Sequence, residues 1–429
     1  MPRAKGRLQT YLQGNAFLRN ILALMSGTAL AQVVVLAMMP FLSRLYTPED
    51  FGLLASFASV VAIIAAVATL KYDMAVMLPE RDEAAISLTR IARWVSFSLC
   101  LVSTGVIIVI APWIADLINS PDVAPWLALA GISAFTLTEI AILGYWLNRK
   151  SRYKEIASNR VLQSGTTAAS QLALGFVKPL GAGGLIIGTI VGQLVSIFAL
   201  RRKTPELRAG ERPPLAEHTK LMRRYRNMPI FNAPTALIDA VRMNGINLLI
   251  AAVSVSALGQ FSMAWRMVEV PAALISAALS QVFFQHFSVV ERGNMLKSVL
   301  SSIKKSALFG IVPFALVWVL SPWLFPFVLG GAWVDAGHYA QALVPWLFMN
   351  LITSPISTIF VVTEKQHIAL IFSILYTAVP FAIILLLRDT ITTAIFVMGA
   401  AMAVMLVLYI IVAIFVVRRF DRQPDPEAV

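Results

Sequence analysis

Two oppositely charged pairs spaced (i, i+3), Asp239–Arg242 and Arg266–Glu269, lie inside long apolar stretches of the chain. A charged side chain at the centre of a bilayer costs about 2.5–3.5 kcal/mol on insertion scales, so such groups face protein or a wet cavity. On a helix, Asn232, Asp239, Arg242 and Asn247 fall within an arc of about 140°. Ser262, Arg266, Glu269, Ser276 and Ser280 fall within about 80° by the same construction, on a helix that Pro271 should bend. Two readings fit. In one, the pairs neutralise themselves and plug the space between helices, since (i, i+3) pairs stabilise helices. In the other, the polar faces line a cation-bearing cavity whose arginines offer forked donors to phosphate.

Other polar groups extend the candidate set. Lys71-Tyr72-Asp73 closes an apolar run. It reads either as a snorkelling lysine with a tyrosine anchor or as part of the same binding surface. Glu139 looks isolated within its run; it is a candidate for coupling to a cation or proton, or else has a partner on another helix. Metal or thiol chemistry has no support, because Cys100 is the only cysteine and His218, His286, His338 and His367 are widely spaced. No carboxylate pair, no nucleophile with its base and no phosphate-cradling glycine loop is present, so no catalytic residue and no cofactor is expected. Gly181-Ala-Gly-Gly is more simply a turn.

The elements that must position these residues follow from composition. Of 429 residues, 58% are hydrophobic and 13% charged, against about 45–50% apolar and about 25% charged in soluble domains. A bilayer can solvate that much apolar surface; water cannot. The net charge of +13 falls in short clusters between apolar runs, the membrane pattern, which argues against nucleic acid. The first apolar run is too long for a cleavable signal and reads as a retained span.

About 20 apolar residues cross the hydrocarbon core as a helix. That ruler predicts an all-α polytopic protein with twelve spans. The first six are Asn20–Leu42, Phe51–Leu70, Trp94–Leu117, Val123–Leu147, Ile156–Val177 and Gly183–Leu200. The second six are Ile230–Val253, Ala257–Phe283, Ser301–Leu329, Ala336–Val362, Ile368–Leu387 and Thr390–Val417. With that count, 30 Lys and Arg fall on one side, three (Arg44, Lys178, Arg388) on the other and two (Arg242, Arg266) within spans. Cytoplasmic loops carry the basic excess, so both termini are expected in the cytoplasm.

The longest hydrophilic break, about Arg201 to Asn227, suggests two six-helix bundles, residues 1–212 and 213–429. Its basic residues would orient the chain and attract anionic membrane lipids. A weak internal echo supports parallel repeats: Thr47-Pro-Glu-Asp-Phe-Gly opens the second span and Ser254-Val-Ser-Ala-Leu-Gly the eighth, with Gly52 and Gly259 in register.

Three segments carry a resemblance covering about Leu18 to Arg418. They are Pro40-Phe-Leu-Ser-Arg-Leu-Tyr-Thr-Pro-Glu-Asp-Phe-Gly, Lys71-Tyr-Asp-Met-Ala-Val, and the run from Leu147-Asn-Arg-Lys-Ser-Arg-Tyr to Val161-Leu-Gln-Ser. The chain resembles the polysaccharide-repeat (O-antigen, Wzx-type) flippases of the multidrug/oligosaccharidyl-lipid/polysaccharide exporter superfamily. That resemblance implies two six-helix bundles working by alternating access in a bacterial inner membrane. It also implies an undecaprenyl-pyrophosphate-linked oligosaccharide as cargo, moved to the outer leaflet for lipopolysaccharide or related surface polymers. Other polysaccharide-assembly membrane proteins would be partners. A cationic cavity carries over as a theme, with Arg242 and Arg266 as its bearers and Asp239, Glu269, Asn232, Asn247, Lys71 and Asp73 around them. A cation-coupled exporter of another cargo is the rival within the superfamily. A membrane polymerase or glycosyltransferase is disfavoured by the short outer loops.

Overall fold

The computed structural model describes residues 16–117, 124–207, 215–287, 293–363 and 365–422. The N-terminal tail, Asp122, the middle of the central linker and the last seven residues therefore lie outside the described residues, and Ser280 lies outside those whose side chains are described. Among the described residues there is helix and no strand. The long helices are α1 (Ala16–Leu45), α2 (Pro48–Ala68), α3 (Asp82–Leu117), α4 (Ala130–Arg149), α5 (Tyr153–Gly175) and α6 (Ala182–Lys203). After a short linker helix, Leu215–Arg224, come α7 (Ala233–Val253), α8 (Val255–Phe287) and α9 (Met295–Leu329). The last three are α10 (Val334–Thr353), α11 (Gln366–Leu386) and α12 (Ile391–Asp421). Each of the twelve expected spans is met by one of them, and the chain is a multi-pass helical membrane protein.

By length and composition alone, eight helices among the described residues would cross a membrane. Of the remaining four long helices, α5, α8 and α10 carry polar residues along their length, and on α11 the described apolar stretch is Ile371–Leu386. Helix α5 spends its polar residues inside the bundle: Gln171 donates to Leu185 O at 3.0 Å and Asn159 to Ser196 Oγ at 2.6 Å. Helix α8 carries Arg266 and Glu269. Helix α10 ends at Thr353 rather than running to Val362, and the chain passes into a tight turn, Ser354–Thr358, at Pro355. At the other extreme, α3 begins at Asp82, well before the expected Trp94, and so takes Arg90 and Arg93 into the helix.

Contacts divide the chain into two units, Met1–Gly245 and Ile246–Val429, with the division inside α7. In the first unit, Gly188 and Gly192 let α6 approach α5: a Cβ at Gly188 would lie 2.6 Å from Gln171 Cγ, and one at Gly192 would meet Thr167 Oγ1. Close backbone approach through small residues is how membrane helices gain packing energy without a hydrophobic drive between them. The linker helix docks on this unit, with Leu221, Tyr225 and Met228 against the cluster of Tyr72, Ala75, Val76 and Leu88. In the second unit, a cluster of Val299, Ile356, Ile359, Phe360, Tyr409, Ala413 and Val417 ties α9 and α12 to the turns after α10.

The internal echo has a structural counterpart. Thr47 caps α2 by accepting from Asp50 N at 3.2 Å, and Ser254 caps α8 by accepting from Ala257 N at 3.1 Å. The two sequence echoes therefore start their helices in the same way, since a hydroxyl at the N-cap satisfies a free amide of the first turn.

Candidate functional site

The charged residues of α7 and α8 behave differently. Arg242 reaches Asp239 at 3.4 Å, with the Asp239 side chain 60% exposed. Asn232, also exposed, donates to the sulfur of Met228 at 2.9 Å, across the widened helical turn Met228–Asn232 that Pro229 opens. Asn247, farther along α7, is partly buried. The ion pair of Arg242 and Asp239 is long and open.

On α8, the pairing expected between Arg266 and Glu269 is not made: no ion pair joins them within 4.0 Å, although they are one turn apart and both partly buried. Glu269 instead borders a cavity of about 340 Å³ with Ala272, Ala273 and Ser276 of α8, Leu347 and Asn350 of α10, and Ser354. Trp265 stacks edge-on against Trp346 at 4.9 Å between centroids and lies 6.0 Å from Phe261, so an aromatic wall adjoins the charged pair. This cavity lies wholly within the second unit. It offers one carboxylate, an amide and hydroxyls, with a guanidinium one turn away along α8.

Lys71 and Asp73 sit on a strained turn. Leu70 and Lys71 both have left-handed φ, 47° and 61°, a conformation that costs non-glycine residues about 1–3 kcal/mol each. Thr69 Oγ1 donates to Asp73 Oδ1 at 2.7 Å and accepts from Lys71 N at 3.2 Å, which ties the turn together. Asp73 is buried, whereas Lys71 is partly exposed. Tyr72 is not an interfacial anchor: it is 3% exposed and donates to Met222 O of the linker helix at 3.4 Å. The motif therefore joins the end of α2 to the linker.

Glu139 has partners on other helices, the second of the two readings of the sequence. It is fully buried and held by two arginines. Arg93 donates through Nε to Oε1 at 3.0 Å and Oε2 at 2.8 Å, and its Nη2 lies 2.7 Å from Oε1. Arg201 Nη2 donates to Oε1 at 3.1 Å. Sequence reasoning placed Arg93 and Arg201 in loops. The helical start at Asp82 and the run of α6 through Arg201 to Lys203 were the signals that would have brought them to Glu139. A further buried network, Ser133 and Thr136 donating to Gln193 Oε1 at 3.1 and 2.6 Å, joins α4 to α6. Among the described residues no group of three or more His, Cys, Asp or Glu could hold a metal ion.

Helix count and composition define a polytopic helical membrane protein. A model of the family described as polysaccharide biosynthesis protein matches residues 41–338, and the chain belongs to that family. No curated protein matches the sequence. Among solved structures, the lipid II flippase MurJ in an inward closed conformation is similar at a TM-score of 0.71 and 12% identity, covering 94% of this chain and 90% of that one. An inward-facing multidrug resistance MATE family transporter of the MOP superfamily is similar at 0.59 and 12% identity, covering 93% and 94%. At these identities the likeness shows the fold.

Proposed function

We propose that this protein flips an undecaprenyl-pyrophosphate-linked oligosaccharide from the cytoplasmic to the outer leaflet of a bacterial inner membrane, with both termini cytoplasmic. The observation that carries the reading is Arg266, a guanidinium on a membrane helix next to Trp265 of an aromatic wall and one turn from a cavity-lining Glu269, with no carboxylate paired to it among the described residues. Family membership in polysaccharide biosynthesis supports a saccharide-bearing cargo, and the fold shared with a lipid II flippase supports a lipid-linked one. A pyrophosphate head needs fixed cations on its path, and a guanidinium meets phosphate oxygens two at a time. Arg242, only loosely engaged by Asp239, is the second cation we assign to that path, and the amides of Asn232 and Asn247 would contact sugar hydroxyls. Lys71 and Asp73 belong to the same proposal as substrate-binding residues.

Transport of this kind makes and breaks no covalent bond, so no catalytic residue is assigned. Glu139 already neutralises part of the charge of two arginines, and a coupling ion there would have to displace one of them. Glu269 is better suited to accept a coupling proton or cation, because it borders an open cavity. Lipid-linked saccharide translocation by the purified protein in vesicles tests the reading. Retention of labelled cargo in the leaflet of origin, with the protein folded and inserted, would overturn it.

The residues also bear on the rival cargo. An exporter of cationic drugs calls for surplus carboxylate in the cavity, whereas the embedded charges of α7 and α8 balance two arginines against two acids. Direct binding of cationic drugs in competition with lipid-linked saccharide separates the two cargo classes.

A further inference from the structure

The Arg93–Glu139–Arg201 cluster is charge-unbalanced. Two guanidiniums share one fully buried carboxylate, yet the arginine side chains are themselves 29% and 42% exposed. Glu139 takes the Nε and Nη2 donors of each arginine. The Nη1 groups of both have no hydrogen-bond partner among the described residues. Fixed donors on arginines held by a buried carboxylate are preorganised for a planar or tetrahedral oxyanion.

The surroundings state what kind of anion fits. On α3 the residues one and two turns beyond Arg93 are Phe97 and Leu101, 47% and 62% exposed. On α6 the residues one and two turns before Arg201 are Phe198 and Leu194, 56% and 50% exposed. In the expected topology the first of these helices leaves the basic side and the second returns to it, so both apolar stripes lie on the membrane side of the arginines. Phe97 packs on Phe135 of α4 at 5.7 Å, on the same side as Glu139 one turn away. A third cation, Arg202, lies over the Phe198 ring at 4.2 Å. Cations at the level of the headgroups with exposed aliphatic and aromatic tracks below them match the two ends of a phospholipid.

We propose that Arg93 and Arg201, positioned by Glu139, bind the phosphate of an anionic phospholipid in the leaflet on the side of the basic loops, with its acyl chains along Phe97–Leu101 and Phe198–Leu194. The inference rests on the protein's being membrane-embedded and does not depend on its cargo. The cluster's net charge of one positive unit, with Arg202 beside it, favours a headgroup with net negative charge over a zwitterionic one.

The test uses the full-length protein in detergent, exchanged against phosphatidylglycerol or phosphatidylcholine, with bound lipid counted by native mass spectrometry. Single removal of an arginine leaves a buried carboxylate short of a partner and risks misfolding. The informative variant is therefore the triple replacement Arg93→Met, Glu139→Leu, Arg201→Met, which removes the cluster as a unit. The parent should retain phosphatidylglycerol in preference to phosphatidylcholine, and the triple variant should lose about tenfold of that retention while melting like the parent. Arg93→Lys, which keeps the charge, tests the same point with a milder change and should lower retention without abolishing the lipid preference. Equal retention by parent and triple variant would overturn the site. So would protection of the parent by inorganic pyrophosphate with no response to phosphatidylglycerol, which would make it a site for a soluble anion.

Discussion

Arg242 and Asp239 stand 3.4 Å apart on α7, with the carboxylate side chain 60% exposed. A pair so long and so open contributes about 0–1 kcal/mol to stability, too little to explain why a membrane helix carries both charges. Arg242→Ala should accordingly shift the melting temperature by no more than a degree or two, while lowering translocation strongly. A large loss of stability in circular-dichroism melting would assign the arginine to packing instead.

Orientation is testable with the protein's own chemistry. Cys100 is buried and is the only thiol, so Cys100→Ser supplies a clean background. Asp389→Cys and Lys178→Cys occupy exposed positions expected outside, and Ser151→Cys an exposed position expected inside. An impermeant maleimide applied to intact cells should label the first two and spare the third. Labelling of the cysteine at 151 under those conditions would invert the topology.

The linker helix is the clearest case of partial legibility. Its basic residues marked a break between bundles, and the span count was readable from hydropathy, whereas the capping roles of Thr47 and Ser254 came only with the structure. Its docking on Tyr72 was not readable, because Leu221, Tyr225 and Met228 form an apolar stripe too short to stand out in a polar segment. The partners of Glu139 were not readable for a related reason: a carboxylate pairs through space, and both of its arginines lay beyond the ends of hydropathy-defined spans. Conversely, Arg266 and Glu269 had the spacing of a pair without forming one, since rotamers and neighbours decide whether an (i, i+3) contact closes.

We propose bundles of residues 1–212 and 213–429, and the docked linker makes a specific prediction about separating them. Expressed as two chains cut between Arg212 and Pro213, the halves should copurify, because the linker helix on the second chain still has its seat on the first. Leu221→Asp in the second chain should reduce copurification severalfold. Association unaffected by that change would show that the linker contact is incidental.

Tyr46, between α1 and α2, donates its hydroxyl to Gln171 O at 2.7 Å. Burial, with Asp50 nearby, pushes its phenol up to about 12, above the ordinary value of about 10. The folded state therefore holds this proton more tightly than the unfolded state. The stability it contributes is complete below about pH 10 and is lost as pH rises toward about 12. Tyr46→Phe should cost about 0.5–1.5 kcal/mol at neutral pH and should flatten the parent's decline in melting temperature over that alkaline window. Identical pH profiles in parent and variant would refute the linkage.

The central claim is that Arg242 and Arg266 serve the cargo path. Replacing both members of a charge pair by apolar residues of similar size is commonly tolerated or even stabilising when the pair only packs. The decisive measurement is therefore lipid-linked saccharide translocation in reconstituted vesicles by two double variants, Asp239→Leu with Arg242→Met, and Arg266→Met with Glu269→Leu, matched to the parent in melting and insertion. The account predicts that both insert and melt like the parent and move cargo at least about tenfold more slowly, the loss of one charge-assisted phosphate contact. Single Arg→Lys variants should fall between them and the parent, because the ammonium keeps the charge and loses the forked donor geometry. Full translocation by both double variants would contradict the account and leave the arginines as packing.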